Sequence, residues 1–118
     1  MVGSRFDTAS VTPLHWLAVT TALISAGVHL VLGLEMLPHW MGVLFVLSTG
    51  GFVGGVVLFF ANVQRPLLYL LGIPYTASQI VFWLLVDPGS TDLVLEAIDK
   101  SAQLILVVAL VVLYRRES

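Results

Sequence analysis

In the stretch DLVLEAIDKSAQ, Asp92, Glu96, Asp99 and Gln103 recur every three or four positions, just before the apolar run LILVVALVVLY. On a helix turning about 100° per residue these side chains share an arc of about 60°, continued by Leu110 and Tyr114. A polar stripe that enters an apolar segment suggests two kinds of chemistry. A carboxylate facing an imidazole in a low dielectric can share or pass a proton. The same oxygen and nitrogen atoms suit zinc or another divalent cation. His29, within LHWLAVTTALISAGVHLVLGL, supplies the imidazole, and Gln79 adds an amide from a further segment. The proton- or ion-binding candidates are therefore His29, Gln79, Glu96, Asp99 and Gln103.

Each of these residues also has a structural role open to it. Asp92 follows Gly-Ser-Thr and suits a helix cap. Glu96 can pair with Lys100 at i,i+4, the lysine stem reaching toward a headgroup layer. Asp99 and His29 can satisfy each other, or bond Gln79 or a hydroxyl, with no further role. A metal would draw on His29 and Asp99, with Glu35 and His39 as weaker ligands, although no HExxH or paired His-x-x-x-His is present. His15 and His29 lie about 21 Å apart on one helix, so together they cannot ligate a haem. The chain has no cysteine, which excludes disulfides, thiolate ligands and Fe–S clusters. No activated serine and no phosphate loop ending in Lys-Ser/Thr is found, which argues against an enzyme, and the residues leave any cofactor unidentified. A formal net charge of −2 without a basic run gives no case for nucleic acid.

The elements that must carry these residues follow from composition. The chain is 58% hydrophobic and 10% charged, with a mean hydropathy of +1.02, outside the range of soluble domains. Four segments are long enough for a bilayer, which takes roughly 20 residues. Helices are expected over 13–36, 41–61, 66–86 and 91–114, in a single membrane domain covering 1–118. Thr12 and Pro13 suit the entry to the first. Backbone in lipid must bond within itself, and the alternation of a β-barrel is absent. The expected fold is all-α: a polytopic membrane protein forming an antiparallel four-transmembrane-helix bundle, its consecutive helices joined by short loops such as EMLPHW and ANVQRP.

The fourth segment is the least regular, because its unbroken apolar run from Ser101 to Tyr114 is short for a span. Four crossings place Arg5, Arg65, Arg115 and Arg116 on one side and leave Lys100 on the other, as the positive-inside tendency prefers. Both termini are then cytoplasmic. MVGSRFDTASVTP lacks the pattern of a cleaved signal, so the first segment is expected to be retained.

Packing material is present on three segments. Gly50, Gly51, Gly54 and Gly55 make overlapping small-xxx-small pairs, suited to a seam within the bundle or to a dimer. Ala18, Ala22, Ser25, His29 and Gly33 form a small-residue stripe that turns His29 toward protein. Pro74 is expected to kink the third helix. His29 then lies roughly 7 to 9 Å below the outer helix end, Gln79 and Asp99 about 10 Å. Ser48 and Thr49 match that level, and with Ser25 they support the polar layer. His15 and Trp16 are expected at the opposite interface, and Glu35, His39 and Trp40 in an outer belt.

Together these residues describe a small membrane protein with a polar cavity in its outer half, suited to proton- or cation-coupled transport or relay and, given its size, expected to work as an oligomer. Two alternatives stay open: a non-catalytic accessory or assembly subunit of a membrane complex, and a divalent-metal-binding membrane protein. The partners expected are the lipid bilayer and either further copies of the chain or a larger complex.

Overall fold

The computed structural model describes residues 11–86 and 93–117. Among the described residues there are four helices and no strand: α1 (Pro13–Met36), α2 (Trp40–Phe60), α3 (Arg65–Val86) and α4 (Leu93–Glu117). All four are long and apolar enough to cross a membrane. The longest dimension of the molecule is 44 Å, against about 30 Å for the hydrocarbon layer of a bilayer. Large apolar side chains face outward on all four helices, with Leu47 65%, Val94 69% and Leu85 79% exposed. Arg5 lies outside the described residues.

Local chemistry sets the helix ends. Thr12 caps α1 in a reciprocal box: Thr12 Oγ1 accepts from the His15 amide at 3.5 Å and the Thr12 amide donates to His15 Nδ1 at 2.9 Å. His39 caps α2, its Nδ1 accepting from the Met41 amide at 3.1 Å. The turn from α2 to α3 uses left-handed backbone at Asn62 (φ 57°) and Gln64 (φ 42°), a conformation asparagine tolerates better than most residues. Arg65 folds back to donate from Nε to the Phe59 carbonyl at 3.0 Å and lies over the Phe59 ring, which closes the free C-terminal end of α2. α4 continues three residues past Tyr114, and α3 stays helical on both sides of Pro74, which is exposed.

α1 is the central helix, packed against α2 on one side and α4 on the other, and α3 leans on α4. α2 and α3 follow each other in sequence but scarcely touch, so the bundle is open along one side. Small residues on α1 explain its place. Ala18, Ala22 and Ala26 are buried against Leu106, Ala109 and Leu113 of α4 and Phe52 and Phe59 of α2, and without long side chains neighbouring backbones come close.

Among the described glycines, the one whose Cβ would meet another helix's backbone most closely lies outside the glycine-rich stretch of α2. It is Gly42, where a Cβ would stand 2.7 Å from the Gly33 carbonyl oxygen of α1. At Gly51 a Cβ would overlap the Tyr75 hydroxyl, so the Tyr75 side chain would have to shift to admit one. At Gly50, Gly54 and Gly55 a Cβ would meet nothing within 4 Å. Those three glycines therefore form no seam within the described bundle.

Candidate functional site

The polar residues converge at the end of the bundle where α1 meets α2. Helical spacing selects them: Ser25 and His29 are one turn apart on α1, Gln79 and Trp83 on α3, and Glu96, Asp99 and Gln103 share a face of α4. Ser25 and Gln103 are completely enclosed, and Asp99 and His29 are 3% and 5% exposed. Such groups must be bonded, and they are.

Ser25 Oγ donates to Asp99 Oδ1 at 2.5 Å. Lys100 Nζ donates to the other carboxylate oxygen, Oδ2, at 2.8 Å and to Gln103 Oε1 at 3.1 Å. Because an ammonium can only donate, Gln103 must turn its oxygen to Lys100 and its amide nitrogen away. That nitrogen donates to Ser25 Oγ at 3.1 Å and to Gln79 Oε1 at 2.8 Å. Ser25, Asp99, Lys100 and Gln103 thus form a closed ring of hydrogen bonds, with Gln79 attached from α3. His29 stands beside it. Its Nδ1 is 2.8 Å from the Ser25 carbonyl oxygen and 3.5 Å from Asp99 Oδ1. Nδ1 therefore carries the proton, and Nε2 is left as an acceptor with no hydrogen bond among the described residues.

This ring forms one wall of a cleft of about 800 Å³ at the open side of the bundle. His29, Ser48, Gln79, Glu96, Asp99 and Lys100 give it polarity, and Phe45, Tyr75, Phe82 and Trp83 make it aromatic. Glu35 reaches the cleft as an exposed residue. His39 does not line it, being used as the α2 cap and lying against Trp40. Among the described residues no group of three or more His, Asp or Glu side chains is placed to hold a metal ion. Asp92 lies outside the described residues.

The remaining candidates divide between the site and the scaffold. Thr49 Oγ1 donates to the Ala26 and Phe45 carbonyls, tying α2 to α1. Ser48 Oγ is buried without a hydrogen-bond partner among the described residues. Glu96 does not pair with Lys100. Its Oε1 accepts from Trp83 Nε1 at 2.5 Å, while Lys100 turns inward, because Asp99 and Gln103 together offer the ammonium two acceptors. Trp83 was not among the expected site residues, although its position one turn beyond Gln79 places it on the same face of α3.

A second polar cluster, also not anticipated, lies at the other end of the bundle. His15, in the first turn of α1, is buried against the neighbouring helices. Its Nδ1 accepts from the Thr12 amide, so Nε2 carries the proton and donates to Glu117 Oε2 at 2.5 Å. The Tyr69 hydroxyl donates to the same carboxylate at 3.0 Å. The spacing held one clue: Glu117 comes three residues after Tyr114 and extends the polar stripe of α4. Between the two clusters is a smaller apolar cavity of about 100 Å³, reached by His15, Tyr69 and Leu113. Tyr75 lines both cavities. Its hydroxyl donates to the Ser48 carbonyl at 2.9 Å, and its ring meets Phe52 edge-on.

No curated protein and no solved structure matches the chain. A family model does, over residues 3–114, and the chain belongs to that family, the family of unknown function DUF7475.

Proposed function

We propose that this is a bilayer-embedded protein that relays or transports protons or small cations along the open α2–α3 side of its bundle, with both termini on the cytoplasmic face. The observation that carries this reading is a pair of cavities that share Tyr75 as a lining residue. The larger cavity ends on the Asp99 ring, the smaller on the His15–Glu117–Tyr69 cluster. Ionisable groups held away from lipid at two depths are what a stepwise relay requires, and an aromatic side chain that lines both cavities makes a removable barrier. Gly51 leaves the room in which the Tyr75 hydroxyl sits.

The test is flux in proteoliposomes containing a pH-sensitive dye. Asp99→Asn keeps the shape of the ring and removes its charge, and is expected to abolish proton or cation flux. Tyr75→Ala joins the cavities and is expected to raise it. Flux unchanged in Asp99→Asn overturns the assignment to Asp99.

A second reading, an assembly subunit of a membrane complex or a homo-oligomer, rests on α2. Leu47 and Val57 are 65% and 50% exposed, on the face that holds Gly50 and Gly54, where a Cβ would meet nothing. Such a face suits close approach by another helix. Gly54→Leu is expected to leave the monomer folded and to dissociate the assembly in a native mass spectrum from mild detergent; an unchanged assembly overturns this reading.

A further inference from the structure

The cleft beside the Asp99 ring carries more negative than positive groups, with Glu35, Glu96 and Asp99 lining it against Lys100. Lys100 is its one cation among the described residues, and that charge is committed to Asp99 and Gln103. Glu96 is only 6% exposed, and its one side-chain hydrogen bond among the described residues comes from the neutral indole N–H of Trp83. No salt bridge to Glu96 occurs among the described residues, and Arg115 and Arg116 lie at the far end of the same helix. Ser48 also lines the cleft, its Oγ buried without a hydrogen-bond partner among the described residues. On the α1 wall, His29 keeps Nε2 free as an acceptor. A buried carboxylate with a single neutral donor is expensive to keep charged unless something positive joins it.

Resting on the reading that this cleft receives a cation, we propose that its ligand is an amphipathic organic cation: an ammonium or other onium group on an apolar body, held by Glu96. The size of the cleft, about 800 Å³, falls in the range of roughly 300–1,000 Å³ typical of sites for organic ligands and greatly exceeds what a bare ion fills. A divalent metal ion would need several anionic or imidazole ligands converging on one point, and no such group occurs among the described residues. An onium group needs only a carboxylate and aromatic faces. Phe45 and Phe82 line the cleft and offer such faces, beside a Trp83 ring whose centroid is 5.7 Å from Lys100 Nζ. Leu32 and Leu44 supply apolar wall for the body of the ligand, and the gap between α2 and α3 gives such a molecule lateral access.

The probe pair is tetraphenylphosphonium and tetraphenylborate, ions of the same shape and opposite charge. Binding is measured by equilibrium dialysis against the full chain in zwitterionic lipid nanodiscs, with empty nanodiscs subtracted. Tetraphenylphosphonium is expected to bind saturably and tetraphenylborate not to. Glu96→Gln is expected to weaken the cation by about tenfold or more, and Glu96→Asp, which keeps the charge, to retain most of the affinity. Saturable binding of both ions, of neither, or undiminished cation binding by Glu96→Gln overturns the proposal. Should Glu96→Gln fail to fold, the comparison of the two ions on the native chain still decides. Flux that depends on Asp99 without tetraphenylphosphonium binding removes this inference alone; binding without flux removes the transport reading and leaves the site.

Discussion

Ser25 Oγ and Asp99 Oδ1 are 2.5 Å apart and 74 positions apart in sequence, a contact that fixes α1 against α4. The hydroxyl has a second task, accepting from Gln103 Nε2 at 3.1 Å. It therefore links the carboxylate to the amide, and through the amide to Gln79 of α3. Three helices share one hydrogen-bonded centre, so disturbance at one member should be felt at the others.

Removing the ammonium should be worse than removing both charges. Lys100→Met strands the Asp99 carboxylate at 3% exposure and is expected to cost about 3–5 kcal/mol. The double variant Asp99→Leu/Lys100→Met should recover much of that loss, as stranded charge rather than lost attraction dominates. Thermal unfolding of the four members of the double-mutant cycle in mild detergent checks the order. Additive losses would show that the two side chains do not act as a pair.

Neighbouring glycines on α2 should respond in opposite ways. Gly42→Ala puts a Cβ 2.7 Å from a backbone oxygen of α1, and backbone cannot step aside, so a loss of about 1–3 kcal/mol is expected. Gly50→Ala meets nothing within 4 Å and should be neutral or gain up to about 1 kcal/mol from helix propensity. Thermal midpoints of the two variants at low protein-to-detergent ratio, where the monomer is observed, test the contrast.

Glu117 ties the ends of three helices through His15, Tyr69 and its own α4. Glu117→Gln is expected to destabilise the protein by about 1 kcal/mol, a small effect because the carboxylate is partly open to solvent. Hydrogen exchange should rise locally, at the C-terminal turns of α4 and the first turn of α1, with the Asp99 ring protected as before. A change spread over the whole bundle would show that the cluster supports more than this end.

Much of the site was legible because helical periodicity is strictly local. Asp99 and Gln103 share a face whatever surrounds them, and the small-residue stripe of α1 turns Ser25 and His29 away from lipid-sized neighbours. Depth was legible as well, since a constant rise per residue puts groups counted from aligned helix ends at comparable levels. Partner choice was not. Glu96 and Lys100 have suitable spacing for a pair, yet Lys100 goes to Asp99 because Gln103 offers a second acceptor beside it, and Trp83 of another helix satisfies Glu96 instead.

By itself, then, the sequence determined four long apolar helices and the faces that carry polarity, both set by composition and by the 3.6-residue period. Only tertiary structure decided which helices became neighbours. The glycine-rich stretch looked like the packing seam, but Gly33 and Gly42 make a close crossing, where opposing backbones both lack a Cβ. α2 and α3, adjacent in the chain, stay apart, and the cleft, the exposed glycine face and the His15–Glu117 contact follow from that arrangement. A contact between helix ends so far apart in sequence is set by how the helices pack, which no local spacing encodes.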